Sequence, residues 1–160
     1  MHLFLYGPPG TGKSTLAKLL ARSLKLPFID LDRVIETNAG MSIPQIMEQH
    51  GETTFRDMET SALKSLTAEK ENVVALGGGA LLRDENRAFA EANGNVLLLM
   101  AELPTLLERI QHEPGKRPLL AGDLKNKLAA LLEKRRAHYA SFPPQHHVDG
   151  KGDEQNPREA

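Results

Sequence analysis

Gly7-Pro8-Pro9-Gly10-Thr11-Gly12-Lys13-Ser14 follows a short apolar run, Leu3-Phe4-Leu5-Tyr6, and opens a helical stretch from Thr15 to Leu24. A strand, a glycine-rich turn, Lys-Ser and a helix in that order form a P-loop in the context that gives the motif meaning. Backbone N–H groups across Gly10, Thr11, Gly12, Lys13 and Ser14, with Thr15 next in line, can curl around phosphate oxygens at a helix N-terminus, where the peptide dipoles favour negative charge. Pro8 and Pro9 lack N–H groups but precede the donors that matter. The spacing predicts that Lys13 reaches the β- and γ-phosphates of a nucleotide and that Ser14 meets a Mg²⁺ ion.

Downstream of this motif, short apolar strands alternate with helical patterns. Pro27 to Asp30 reads as a strand, Asp32 to Asn38 as a helix ended by Gly40, and Ser42 as the cap of a short helix from Ile43 to His50 with Pro44 in its first turn. A long amphipathic helix is expected from about Thr53 to Lys70, then a strand from Asn72 to Leu76 that runs into Gly77-Gly78-Gly79. Asp84 to Ala92 is read as helix, Asn95 to Met100 as a buried strand and Pro104 to Gln111 as helix. The polar stretch from His112 to Gly122 reads as a lid-like loop, and Asp123 as the cap of a helix running to Tyr139. This alternation predicts an α/β fold, a P-loop NTPase-type three-layer sandwich whose central parallel sheet of about five strands carries helices on both faces. In such folds ligands bind beyond the carboxyl ends of the strands. The P-loop, Asp30-Leu31-Asp32 and Gly77 to Gly79 all sit at such ends, so three segments should converge on one cleft.

Composition narrows the classes of partner. One hundred and sixty residues at 40% hydrophobic content suit one domain spanning 1–160 with a real core. With 20 basic and 21 acidic residues and a net charge of −1, nothing favours nucleic acid or an anionic membrane over a small ligand. The absence of cysteine excludes disulfides, thiol catalysis and Cys-ligated zinc, and suits a cytoplasmic protein. The first strand begins too early to leave room for a signal peptide, and the run Val96 to Ala101 is far too short to span a bilayer. The six histidines, at 2, 50, 112, 138, 146 and 147, lack the spacing and acidic neighbours of a zinc site. Asn156-Pro157 is a helix-start signal close to Ala160, which predicts a further C-terminal helix absent from this sequence.

Asp30 and Asp32 flank Leu31 just past a strand, so a short extended stretch can aim both carboxylates at the phosphates: one to hold the hydration shell of Mg²⁺, the other to accept the proton of a substrate hydroxyl. Alternatively, Asp32 caps the next helix. Three successive glycines at 77 to 79 suggest close approach by a ligand, with a flexible connection as the other reading. On the helix ending at Tyr139, Leu124, Leu128, Leu131 and Leu132 define an apolar stripe, Arg135 falls near its centre and Arg136 to one side. A buried arginine needs an anionic partner, either an internal carboxylate or an anionic ligand. In the helix from Thr53, residues Phe55, Met58, Ala62, Leu63 and Leu66 form the core stripe, Glu59 lies on it, and Glu59 can steer Arg56 one turn back. Arg117 precedes Pro118-Leu119-Leu120 in the lid-like loop, where it is either a solvated charge or an arginine finger supplied in cis.

Taken together these blocks resemble shikimate kinase: the P-loop; Phe28-Ile29-Asp30-Leu31-Asp32 with Ile35-Glu36; Gly51-Glu52 with Phe55-Arg56 and Glu59; Gly77-Gly78-Gly79; Arg117-Pro118-Leu119-Leu120; and Arg135 with Tyr139 one turn on. The resemblance implies a monomeric cytoplasmic kinase of aromatic amino-acid biosynthesis that transfers the γ-phosphoryl group of ATP to the 3-hydroxyl of shikimate. It implies that Asp30 supports Mg²⁺ through water and that Asp32 holds the reacting hydroxyl, at the start of a substrate-binding helical region from about residue 32 to 60. Arg56 and Arg135 would clamp the substrate carboxylate, Gly78 and Gly79 would offer N–H groups beside Gly77, Arg117 would bridge the phosphates, and Arg109 would flank the adenine together with the Asn156-Pro157 loop. The opening Gly-Pro-Pro-Gly-Thr is also common in the ATPases of molecular machines. The rival readings are therefore another small-metabolite kinase, such as a gluconate kinase, and a mechanical or regulatory P-loop ATPase. The latter would show an apolar strand ending in paired acids, which neither Val73 to Leu76 nor Leu97 to Met100 does.

Overall fold

Alternation along the central strands sorts their side chains into two layers. In the computed structural model, which describes residues 1–66, 69–112, 121–142 and 145–147 (121–122 and 145–147 by their backbone alone), strand β1 (His2–Tyr6) sends Phe4 and Tyr6 to one face and Leu5 to the other. Successive residues of a strand point to opposite faces, so β3 (Val73–Ala75) and β4 (Gly94–Met100) divide likewise: Val74 and Leu98 join Phe4 and Tyr6, while Val73, Ala75 and Leu99 join Leu5. Strands buried on both faces read as near-continuous apolar runs, which is the form these segments take. β1 pairs in parallel with β3 and β4, β2 (Phe28–Asp30) with β3, and β4 with β5 (Gln145–His147). The sheet has five strands in the order β2-β3-β1-β4-β5.

Helix α1 (Lys13–Leu24) covers the Leu5 face with Ala17 and Ala21. Helices α2 (Leu31–Ala39), α3 (Ile43–Lys64) and α4 (Asp84–Asn93) cover the other with Leu31, Ile35, Ile46, Leu63 and Ala90, joined by Tyr139 from α6 (Ala121–Ala140). Helix α5 (Leu103–Gln111) and α6 share a smaller core around Leu106 and Leu128. Each fully buried leucine contributes roughly 1.5–3 kcal/mol relative to exposure, so two leucine-rich layers on one sheet fix the strand ends firmly.

Several boundaries differ from those read in sequence. The first helix begins at Lys13, with Gly12 as its cap in the left-handed region, so Thr15 already lies in the first turn. The expected helices 43–50 and 53–70 form one run interrupted at Gly51, whose φ of 86° and ψ of 169° are not helical. That run stops at Lys64, because the Ser65 hydroxyl turns back to donate to the Ala62 carbonyl at 2.6 Å. Asp123 is not the cap of α6: the helix starts two residues earlier, and Asp123 sits in its first turn, paired with Lys127 at 3.2 Å. Strand β5 had no counterpart among the strands assigned from sequence. Arg117, most of the lid-like loop, and Asn156-Pro157 lie outside the described residues. Among the described residues, no helix is long and apolar enough to cross a membrane.

Candidate active site

The P-loop closes on itself before it reaches outward. Gly10 has φ of 88°, and a Cβ there would come within 2.8 Å of the Leu106 carbonyl, so any side chain would both strain the backbone and strike α5. The Thr11 hydroxyl points inward, donating to the Pro8 carbonyl at 3.2 Å, which leaves Thr11 its backbone N–H for a ligand. Lys13 Nζ donates to the carbonyls of Gly7 and Pro8 at 2.7 and 2.9 Å, holding the ammonium on the loop. Ser14 and Thr15 are exposed in the first turn of α1. Arg109, reaching in from α5, donates to the Thr11 carbonyl at 3.1 Å and so lies against the P-loop.

Asp30 and Asp32 part company at the end of β2. Asp30 is the N-cap of α2, its Oδ1 accepting the Asp32 N–H at 3.1 Å, so the cap considered for Asp32 belongs to its neighbour. The Asp32 carboxylate is thereby released toward the glycine turn, where a Cβ on Gly77 would come within 3.0 Å of Asp32 Oδ1. Burial, then the nearby Asp30 and Glu59 carboxylates, push Asp32 up to about 6, while the Lys13 charge pulls it down. That mutual influence places Lys13 and Asp32 in one electrostatic neighbourhood.

The glycine turn is where the segments meet. A Cβ on Gly78 would lie 3.3 Å from Arg135 Nη1, 3.3 Å from Pro9 Cδ and 3.4 Å from the Gly7 carbonyl, so the turn rests on the P-loop and under Arg135 at once. At Gly79 a Cβ would fall 2.6 Å from the Arg56 guanidinium, so a side chain there would displace that group from the turn. Arg56 is held by Glu59 at 2.8 Å and by Glu52 at 3.5 Å. Glu59 is 1% exposed; its Oε1 takes the Arg56 bond, while its Oε2 has no hydrogen-bond partner among the described residues and faces Gly77 at 3.6 Å from a would-be Cβ. A buried carboxylate oxygen without a donor is costly, and its position makes it an acceptor at the cleft. Desolvation raises the Glu59 pKa, and its bond to Arg56 opposes this.

On α6 the helical phase separates neighbours. Arg135 is half-buried over Gly78 with Nη1 3.5 Å from the Tyr139 hydroxyl, whereas Arg136 is 78% exposed beside Glu133. The structure thus brings Lys13, Asp32, Arg56, Gly77, Gly78, Gly79 and Arg135 to one cleft at the carboxyl ends of β1, β2 and β3. Two participants were not picked out from sequence as site residues: Glu59 as an acceptor, and Tyr139, whose hydroxyl donates to the Gly78 carbonyl at 2.7 Å. The signal for Glu59 was present, an acid on an apolar stripe; that for Tyr139 required knowing what α6 faces.

The residues fit ATP and Mg²⁺. A left-handed glycine cradle with a lysine and a helix N-terminus suits phosphates, and the Ser14 hydroxyl with the Asp30 carboxylate offers the hard oxygen donors that Mg²⁺ prefers. Among the described residues, no cluster of three or more His, Cys, Asp or Glu side chains could hold a metal by protein ligands alone. Mg²⁺ carried largely by phosphate and water demands no such cluster.

A family model described as shikimate kinase matches residues 9–159. The shikimate kinase of Gloeobacter violaceus is 45% identical over 141 residues, covering 88% of this chain and 79% of that protein. Among solved structures, shikimate kinase from Bacteroides thetaiotaomicron superposes with a TM-score of 0.87 at 29% identity, covering 99% of this chain and 95% of the other. The enzyme from Acinetobacter baumannii, solved in complex with shikimate, gives a TM-score of 0.84 at 32% identity, covering 99% and 89%. With the fold shared from end to end and the sequence match running through the P-loop, the glycine turn and the arginine helix, the chain belongs to the shikimate kinase family of ATP-dependent kinases.

Proposed function

We propose that this chain, acting as a single kinase domain, transfers the γ-phosphoryl group of ATP to the 3-hydroxyl of shikimate, giving shikimate 3-phosphate and ADP. The observation that carries this reading is the glycine turn, wedged between the P-loop on one side and the guanidinium groups of Arg56 and Arg135 on the other. Two arginines facing backbone N–H donors suit a carboxylate, and a carboxylate-bearing polyol held there has its hydroxyls toward Asp32. Phosphoryl transfer through a loose transition state needs positioning and charge neutralisation more than a strong base.

In this scheme the N–H groups from Gly10 to Ser14 and the Lys13 ammonium hold the ATP phosphates. Asp32 orients the substrate hydroxyl and accepts its proton. Glu59 fixes Arg56 and leaves one oxygen for a substrate hydroxyl. Arg109 flanks the nucleotide beside the P-loop, and the role proposed for Arg117, which lies outside the described residues, is to bridge the phosphates. Ser14 and Asp30 would hold Mg²⁺, which when bound would neutralise phosphate charge. ADP release in the presence of a panel of hydroxy-acids tests the proposal. Shikimate alone should stimulate it strongly; stimulation by gluconate, or equal turnover with no acceptor, would transfer the chain to one of the rival classes.

The two adjacent arginines give a sharper check. A bidentate arginine holding a carboxylate in a partly dry site contributes about 1.5–3 kcal/mol per charged hydrogen bond, so Arg135→Ala should raise the shikimate KM at least about 10-fold, and Arg135→Lys should restore it only in part. Arg136→Ala, at an exposed position, should change it less than about threefold. Steady-state KM for both substrates in the three variants decides the matter, and a larger loss at Arg136 would contradict the carboxylate clamp.

A further inference from the structure

The glycine turn is tied down by side chains from β1, α4 and α6. Within the turn, the Ala80 N–H bonds to the Gly77 carbonyl and the Leu82 N–H to the Gly79 carbonyl, leaving the Leu81 N–H between them unused by the turn itself. That N–H donates to the hydroxyl of Tyr6 at 3.4 Å. Tyr6 is wholly buried at the end of β1, and its oxygen also lies 2.9 Å from His138 Nε2 on α6. Asn86 holds the Ala80 carbonyl from α4 at 2.9 Å, and Tyr139 holds the Gly78 carbonyl.

The proton positions in this chain follow from the acceptors. Burial pushes the Tyr6 pKa well above its ordinary value, so the hydroxyl keeps its proton. Burial, with the charges of Arg87 and Arg135, lowers the His138 pKa against the opposing pull of Asp84, so the imidazole is neutral and its Nε2 can accept. Because the Leu81 N–H already donates to the Tyr6 oxygen, the Tyr6 O–H takes Nε2 as its acceptor when His138 carries its proton on Nδ1, and this is the tautomer we assign. The rings hold this arrangement by edge contacts: Tyr6 packs on Tyr139, His138 and Phe142 with centroids 5.8, 5.7 and 5.3 Å away, and Arg87 stacks on Phe142 at 3.7 Å.

We infer that Tyr6 and His138 are positioning residues for shikimate, setting the direction of the Gly78 and Gly79 N–H groups by anchoring the C-terminal end of their turn at Leu81. This rests on the reading that the turn binds the substrate. Three glycines in succession have no side chains with which to fix their own backbone, so their orientation must come from neighbouring groups. The Tyr6 hydroxyl bridges the strand that leads into the P-loop, the glycine turn and the helix that carries Arg135. The phosphate cradle keeps internal bonds of its own, from Lys13 to the Gly7 and Pro8 carbonyls and from Thr11 to the Pro8 carbonyl, so loss of the Tyr6 hydroxyl should fall on the acceptor substrate more than on ATP.

The test is a steady-state comparison of Tyr6→Phe, His138→Ala, His138→Gln and Gly79→Ala, each confirmed as folded by circular dichroism. Tyr6→Phe preserves the ring packing and removes only the hydroxyl. Loss of one such hydrogen bond corresponds to a roughly 3- to 10-fold change, so Tyr6→Phe and His138→Ala should each raise the shikimate KM by that factor, with ATP KM and kcat changed less than about twofold. His138→Gln, whose amide oxygen can accept the same proton, should return the shikimate KM to within about twofold of the unaltered enzyme. Amide hydrogen exchange at Leu81 should accelerate in Tyr6→Phe, an effect that does not depend on turnover. Unchanged shikimate KM in both Tyr6→Phe and His138→Ala, equal rises for both substrates, or a His138→Gln variant as impaired as His138→Ala would each overturn the inference. Gly79→Ala separates the two levels of the argument. If it leaves the shikimate KM unaltered, the substrate role of the turn fails; if it is impaired while Tyr6→Phe and His138→Ala are normal, only the positioning role fails.

Discussion

Lys13→Ala should abolish phosphoryl transfer, lowering kcat by about 10²–10³-fold or more, the scale seen when a preorganised donor to developing transition-state charge is removed. The ammonium lies on the P-loop, bonded to the Gly7 and Pro8 carbonyls, and belongs to none of the apolar clusters. The fold should therefore survive with a melting temperature lowered by only a few degrees. A second consequence is electrostatic. Because the Lys13 charge holds the Asp32 pKa down, removing it should drive Asp32 further above its ordinary value, visible in an NMR titration of the carboxyl carbon. Undiminished turnover in Lys13→Ala would end the phosphate-binding reading of the loop.

Asp32→Asn should cost about 10²–10⁴-fold in kcat, the usual range for removal of a positioned general base, with nucleotide binding retained. The pH dependence follows from the carboxyl at about 6. Below that value the group is protonated and cannot accept the substrate proton, so kcat/KM for shikimate should fall as pH drops from 7 to 5, and Asp32→Asn should lose that limb of the profile. Stability runs the other way. The folded-state pKa lies above the ordinary aspartate value of 3.8, so the folded chain binds more protons between the two values and loses stability as pH rises from about 4 to about 6. Asp32→Asn should consequently melt at a higher temperature than the unaltered protein at pH 7, and the difference should vanish below pH 4. A carboxylate kept at a stability cost is what a working group looks like. Asp30→Asn provides the contrast. Asparagine can still cap α2, so the fold should stay and the proton-acceptor limb should persist, moved to lower pH because the Asp30 charge no longer raises the Asp32 pKa, while the Mg²⁺ concentration needed for half-maximal rate rises. Identical defects in the two variants would dissolve the division of labour.

Local chemistry explains most of what could be read in advance. The P-loop was legible because Gly, Lys and Ser are needed at fixed offsets between a strand and a helix, and these requirements act over a few residues. Arg135 could be told from Arg136 because a helix turns by about 100° per residue, so leucines one and two turns away already define the inward direction. Glu59 could be assigned to a buried stripe by the same reckoning. Where two local rules competed, sequence was less decisive. Both Asp30 and Asp32 are good capping residues, and only the helix start at Leu31 gave the cap to Asp30 and set the other carboxylate free.

By itself, then, the sequence determined the elements, the phosphate loop and the inward faces of the helices, since those depend on backbone sterics and periodicity within a turn or two. Only the tertiary structure decided what those faces meet. Strand β5 has no apolar alternation to announce it and is defined by its pairing with β4. The order β2-β3-β1-β4-β5 sets strands far apart in sequence side by side, which brings Gly79 against Arg56, Gly78 against Arg135 and Tyr6 to His138 across 132 residues. No local propensity encodes such meetings: they arise when the two apolar layers close on the sheet, and the polar groups caught at its edge must then find partners in one another.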